Sequence, residues 1–221
     1  MTARVVFAHG FTQTSRSWAP IIGRLRDIDA TIDMVAVDLP GHGSAADVTT
    51  DLGGAADHLV APGGRATYVG YSMGGRVALH AAIAHPAAIE RLVLIGATAG
   101  IDDADERAER RAADERLAER IEMVGVETFV DEWLANPLFD GLDDDSAMRE
   151  DRLRNTAVGL ASSLRTCGTG TQEPLWGRLG EIVCPTLVMV GEHDTKFRAL
   201  AGRLVGGIAD SELVVIPDSG H

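Results

Sequence analysis

The sequence is poor in cysteine and in basic charge, and each shortage removes a class of protein. Only Cys167 and Cys184 occur among 221 residues, at a separation that matches neither a metal-ligand pattern nor a Cys-x-x-Cys redox pair. Both are therefore read as reduced thiols in a reducing compartment, with no disulfide framework. Lysine and arginine total 20 against 33 acidic residues, a formal charge of −13, which would repel a phosphate backbone and argues against nucleic acid as a partner. No apolar stretch reaches the roughly 18 to 20 residues of a membrane span. Met1-Thr2-Ala3-Arg4 runs straight into Val5-Val6-Phe7-Ala8, leaving no room for a leader. A cytoplasmic protein without stable membrane insertion is the expectation. Repeats, low-complexity tracts and Pro/Ser linkers are also missing, which leaves a single domain over residues 1–221. There is no His/Cys/Asp cluster at ligand spacing and no dinucleotide glycine fingerprint after the first apolar run, so chemistry with no metal and no organic cofactor is expected.

What is present is a compact globular composition, 45% hydrophobic and 24% charged with 25 glycines. Short β-branched runs recur at 4–8, 33–37, 66–70, 91–95, 186–190 and 212–216, most of them separated by helical segments. Strands alternating with helices predict an α/β fold with a mostly parallel central sheet and right-handed crossovers. Leu92-Val93-Leu94-Ile95 and Thr186-Leu187-Val188-Met189-Val190 are apolar throughout, as strands covered by helices on both faces should be. The interval from about 100 to 182 breaks this rhythm. It is rich in Arg, Glu and Asp, lacks a convincing strand, and reads as a helical cap inserted between two sheet strands. Asp102-Asp103-Ala104-Asp105-Glu106 supplies acids suited to a helix N-terminus there.

The chemistry concentrates at Gly70-Tyr71-Ser72-Met73-Gly74, which follows the strand Ala66-Thr67-Tyr68-Val69 and precedes the helical run Arg76-Val77-Ala78-Leu79-His80-Ala81-Ala82. A serine on so sharp a strand-to-helix turn needs neighbours without side chains, which Gly70 and Gly74 provide. The context resembles the nucleophile elbow of the α/β-hydrolase fold, in which the partners follow in the order acid, then histidine. Asp194 comes after the run 186–190 and His221 after the run 212–216, so His221 is the expected base and Asp194 its orienting acid. Glu192, His193 and Asp218 are rivals that a surface loop explains, and His58, His80 and His85 receive no role. His9-Gly10-Phe11 follows the first strand, where the fold places one oxyanion-hole amide; the other comes from the residue after the nucleophile. The backbone amides of Phe11 and Met73 are thereby nominated, with His9 as a loop-shaping residue. Asp38-Leu39-Pro40-Gly41-His42-Gly43-Ser44 reads as a turn bordering the pocket.

These motifs resemble the α/β-hydrolase superfamily over essentially the whole chain. Trp133-Leu134-Ala135-Asn136-Pro137-Leu138-Phe139, Arg154-Asn155, Gly168-Thr169-Gly170-Thr171-Gln172, Leu175-Trp176 and Asp194-Thr195-Lys196-Phe197 resemble, more narrowly, the 2-succinyl-6-hydroxy-2,4-cyclohexadiene-1-carboxylate synthases of menaquinone biosynthesis. That resemblance implies a lyase reaction: a proton leaves carbon, pyruvate is eliminated from 2-succinyl-5-enolpyruvyl-6-hydroxy-3-cyclohexene-1-carboxylate, and Ser72 acts as a base. It also implies a small-molecule polycarboxylate partner held by arginines, for which Arg76, Arg110 and Arg154 are the candidates, with Tyr71, Trp133 and Gln172 as secondary pocket residues. The family continues beyond the histidine loop into a terminal helix, so the chain stops short of the family's pattern at His221. The same elbow and triad would serve a serine carboxylesterase or a carbon–carbon bond hydrolase, and a non-catalytic ligand-binding module is the third reading.

Overall fold

The structure is a computed structural model that describes residues 3–139, 142 and 144–221. Met1 and Thr2, on which the leaderless start was read, lie outside the described residues, as do Asp140, Gly141 and Asp143 of the insertion. One sheet contains β1 (Arg4–Ala8), β2 (Asp33–Val37), β3 (Ala66–Tyr71), β4 (Ile89–Ile95), β5 (Thr186–Gly191) and β6 (Ser211–Ile216). Its order is β2-β1-β3-β4-β5-β6 and every pairing is parallel.

Parallel neighbours need crossovers, and helices supply them. Helices α1 (Ala19–Ile28), α2 (Leu52–Gly63) and α3 (Met73–Ala84) connect the first four strands in turn. Between β4 and β5 lies the cap, with α4 (Ala104–Leu134), α5 (Asp144–Ala147), α6 (Arg149–Arg152) and α7 (Ala157–Cys167); α8 (Thr195–Gly207) then links β5 to β6. Alternate strand residues face opposite sides of the sheet. Val6, Ala8, Tyr68, Leu94 and Val188 pack with Leu59, Val77 and Leu204 under α2, α3 and α8. Val5, Phe7, Val69 and Ile95 pack with Trp18 and Ile22 on the α1 side. Both faces of the central strands are buried, which accounts for their uninterrupted apolar runs. At the edge, β6 departs from this rule: Leu213, Val214 and Val215 remain 41%, 38% and 38% exposed.

The cap has a small core of its own, in which Ala118, Ile121 and Phe129 of α4 meet Leu160, Ala161 and Leu164 of α7. Asp103 caps α4 by accepting from the amides of Asp105 and Glu106, and those two acids occupy its first turn. The helix does not run straight: Gly125 takes φ 79° and ψ 170°, a conformation open to glycine and costly for other residues. The bend is visible in Arg120, whose Nε donates to Glu132 Oε2 at 3.1 Å. Twelve residues on a straight helix would hold those positions about 18 Å apart along the axis. No helix among the described residues is long and apolar enough to cross a membrane.

Candidate active site

Ser72 sits between β3 and α3 with φ 51° and ψ −107°, a strained backbone for a residue with a side chain. Its amide donates to the Ile95 carbonyl at 2.8 Å, and its carbonyl accepts from the Arg76 amide at 3.2 Å. The turn closes only because of its glycines. A Cβ on Gly74 would lie 2.2 Å from the Ala8 carbonyl oxygen, so β1 and α3 could not approach as they do.

The fold brings Ser72, His221 and Asp194 into one line, although 27 residues separate Asp194 from His221 and 149 separate His221 from Ser72. Asp194 caps α8, accepting from the Phe197 amide at 3.2 Å through Oδ1, which leaves Oδ2 free to face His221 Nδ1 at 2.6 Å. On the other side of the ring, Nε2 is 3.1 Å from Ser72 Oγ. Phe197 and Tyr71 flank the imidazole, with ring centroids 4.3 and 5.5 Å away. Burial lowers the His221 pKa, and this outweighs the upward pull of Asp194; Lys196 adds a further push down. The imidazole is therefore neutral at pH 7 and able to take a proton. Of the rival groups, Glu192, His193 and Asp218 are exposed and make no hydrogen bond to His221. The fold does gather these three within 4.8 Å of one another, a trio that linear spacing did not disclose.

A cleft of about 360 Å³ opens over this line, within the range of small-molecule sites. Phe11, Met73, Ser72 and His221 form its floor, and Arg110 and Trp133 of α4 approach from the cap. Among the described residues neither the Phe11 nor the Met73 amide donates a hydrogen bond. A lobe of about 30 Å³ adjoins it, lined by Tyr71, Ser72, His221, Phe139 and Arg152. His9 shapes the approach loop: its Nε2 accepts from the Leu39 amide at 3.0 Å, and its Nδ1 lies 2.8 Å from the Gly10 carbonyl. Asp38 joins two loops by accepting from the Ser15 amide at 2.6 Å and the Ser44 amide at 2.9 Å. Burial would raise its pKa, but these amides and the Ser44 hydroxyl prevail and hold it at about 2.

The predicted arginines divide. Arg76 lines the cleft, 7% exposed, donating to the Cys167 carbonyl at 2.8 Å and towards Gln172 Oε1 at 3.5 Å. Burial, with Arg110 nearby, pushes its pKa down to about 10, so it stays cationic at neutral pH. Arg110 also lines the cleft and pairs with Asp114 at 2.7 Å. Arg154 does not: it is exposed, and the arginine that reaches the site is Arg152, 2% exposed at the end of α6. Residues two apart on a helical turn do not share a face, so a register error of two exchanges a pocket residue for a solvent one. Tyr71 and Trp133 line the site, whereas Gln172 is buried behind Arg76 outside the cleft lining. Burial raises the Tyr71 phenol to about 12, with Arg152 pulling the other way, so it remains protonated. Lys196, on α8, completes the cationic rim. Lys196 is not among the sequence candidates; the resemblance of its segment Asp194-Thr195-Lys196-Phe197 is the signal that could have found it, and Arg152 has no such signal.

This is the fold and site of an α/β enzyme built around an elbow serine. The sequence pattern described as "Alpha/beta hydrolase family" matches residues 5–221. A Bacillus subtilis (strain 168) protein whose name carries 2-succinyl-6-hydroxy-2,4-cyclohexadiene-1-carboxylate synthase activity is 36% identical, over 98% of this chain and 83% of its own. The synthase of that name from Escherichia coli O1:K1 is 32% identical over 98% of this chain and 86% of its own. The solved structure of MenH from S. aureus superposes with a TM-score of 0.90 at 34% identity, covering 100% of this chain and 87% of that one. A thermophilic esterase from Thermogutta terrifontis, solved with malate bound, follows at a TM-score of 0.83 and 25% identity, over 99% of this chain and 82% of that one. The chain belongs to the alpha/beta hydrolase family and, within it, to the 2-succinyl-6-hydroxy-2,4-cyclohexadiene-1-carboxylate synthase group.

Proposed function

We propose that the chain eliminates pyruvate from 2-succinyl-5-enolpyruvyl-6-hydroxy-3-cyclohexene-1-carboxylate, as a cytoplasmic lyase of menaquinone biosynthesis with a Ser72–His221–Asp194 triad. One observation carries the reading beyond family membership. In a chain of net charge −13, the cleft beside Ser72 and its adjoining lobe are lined by Arg76, Arg110, Arg152 and Lys196 and, among the described residues, by no acidic one. The two most buried of these, Arg76 and Arg152, make no ion pair among the described residues; their hydrogen bonds go to neutral oxygens. Buried cations without carboxylate partners are costly unless a ligand supplies the anion. The substrate's succinyl, ring and enolpyruvyl carboxylates are three such anions, and the fork of an arginine suits each of them.

The arrangement supports the following steps. His221, neutral and oriented by Asp194, accepts the Ser72 proton as Ser72 Oγ removes the ring proton next to the succinyl ketone. The electron pair of that C–H bond moves onto the ketone oxygen, where the Phe11 and Met73 amides stabilise it. Its return shifts the ring double bond and breaks the carbon–oxygen bond to the enolpyruvyl group. The enolate that leaves takes up a proton and becomes pyruvate, and no ester to Ser72 forms.

The test is pyruvate release from the purified chain, followed with lactate dehydrogenase. Release that disappears in Ser72→Ala and Arg76→Ala is expected; efficient turnover by both variants would sink the reading. The second reading, a carboxylesterase or carbon–carbon bond hydrolase, is supported by the same serine line and by the likeness to the Thermogutta esterase. A product burst from an aryl ester, an acyl group trapped on Ser72, and no pyruvate would select it.

A further inference from the structure

We propose that Asp151 and Asn155, in the cap, are positioning residues for the oxyanion-stabilising loop on the sheet side; this rests on the reading of the Phe11 amide as an oxyanion donor. The loop follows β1, and the peptide groups of its turn are fastened one after another. The Gly10 carbonyl accepts from the Gln13 amide at 3.2 Å and lies 2.8 Å from His9 Nδ1. In a trans peptide the N–H points opposite the C=O, so these two bonds aim the Phe11 N–H. The next three peptide groups are all held by one short cap segment. The Phe11 carbonyl accepts from Arg152 Nη1 at 3.3 Å. The Thr12 carbonyl accepts from Asn155 Nδ2 at 2.6 Å. The Thr14 amide donates to Asp151 Oδ2 at 2.9 Å, and the Thr14 hydroxyl to Asp151 Oδ1 at 2.5 Å.

The anchoring has something to oppose. Thr12 holds φ 67° with a β-branched side chain, so the turn would relax if released. Asn155 also accepts from the Gly43 amide at 3.0 Å, so the same residue pins the neighbouring 38–44 turn. Asp151, Asn155, Thr12 and Thr14 are 9%, 6%, 0% and 2% exposed, and 137 to 143 residues separate the bonded partners. A clasp so buried and so distant in sequence is more than a surface tether. The Asp151 carboxylate directs both oxygens to Thr14 and none to Arg152, its chain neighbour, with which it makes no hydrogen bond.

The test separates positioning from folding and from anion binding. Asp151→Ala and Asn155→Ala, shown to be folded by near-ultraviolet circular dichroism, are assayed for pyruvate release and for p-nitrophenyl acetate hydrolysis, because both reactions build an oxyanion. The expected result is a kcat lower by about 10- to 100-fold, short of the 10²- to 10³-fold typical when an oxyanion donor is removed outright, with KM within about threefold. Asp151→Asn, which can still accept from the Thr14 amide and donate to its hydroxyl, restores kcat to within a few fold of the parent. A raised KM with kcat intact would overturn the proposal. So would a loss confined to pyruvate release, because that would assign Asp151 to substrate binding through Arg152. Should the parent release no pyruvate, the lyase reading fails by itself and the ester assay still decides the role of Asp151.

Discussion

The sheet side and the cap side of the cleft meet the same small space and are built on opposite principles. On the sheet side each group of the proposed triad stands where a strand ends: Ser72 after β3, Asp194 after β5, His221 after β6. Strand ends in a parallel sheet are fixed by register, so these groups have little freedom to be elsewhere. On the cap side, Arg110 and Arg152 are placed by helical phase, and Arg152 by a helix of four residues. The sheet thus dictates where chemistry occurs, and the cap dictates what is brought to it. A change of helical phase can retune the second without disturbing the first.

The most severe break should come from the sheet side. Ser72→Ala is expected to lower kcat by about 10³-fold or more with KM little changed, the range for loss of a positioned base and its partner. Steady-state pyruvate release measures it, and a loss below tenfold would mean that another group removes the proton. Asp194→Asn should cost about 10²- to 10⁴-fold by misorienting the imidazole. It should also move the acid limb of kcat/KM further down, because Asp194 raises the His221 pKa. In the parent that limb lies below pH 6.5, since the neutral imidazole is the active form and burial depresses its pKa. A parental midpoint above 7 would contradict the assignment.

The cap side is tested by a pair of neighbours. Arg152→Ala should cost about 2 to 5 kcal/mol in transition-state binding, the range for one partner of a buried charge pair, whereas Arg154→Ala should stay within twofold. Equal losses, or the reverse order, would show that the cap closes on substrate in a different phase. The smallest effect is expected of Lys196→Met. It should raise KM severalfold and shift the acid limb of His221 slightly upward, because Lys196 lowers that pKa. A pH profile identical to the parent's would remove Lys196 from the neighbourhood of the base.

The same contrast explains what was legible in the sequence. The six strands show as short β-branched and apolar runs such as Leu92-Val93-Leu94-Ile95, and the elbow and the order serine, acid, histidine show as local turn chemistry and chain order, visible in Gly70 and Gly74. Asp194 was legible from its place after the run 186–190, whereas its position at the start of α8, which points it and not Glu192 at His221, is seen only in the structure. The bend at Gly125 was not legible, because a glycine inside a charged helical run is equally a weak helix residue. Arg152 was missed in favour of Arg154 because the segment around α6 is too short to show a hydrophobic phase, and only tertiary packing decides which arginine turns inward. Gln172 was read as a pocket residue, but its side chain serves Arg76 from behind. The 151–155 clasp combines residues more than a hundred positions apart, and no pattern within one segment announces it.

The two buried guanidiniums have a consequence for the protein as a thermometer of its own ligands. Arg76 and Arg152 are desolvated and hydrogen-bonded to neutral oxygens without an ion pair among the described residues, so a bound anion has stabilisation to add. Any di- or tricarboxylate that fits should raise the melting temperature, whether or not it reacts. At one hundred times its Kd such a ligand stabilises the folded chain by about 2.7 kcal/mol, enough to rank a panel of polycarboxylates by thermal shift alone.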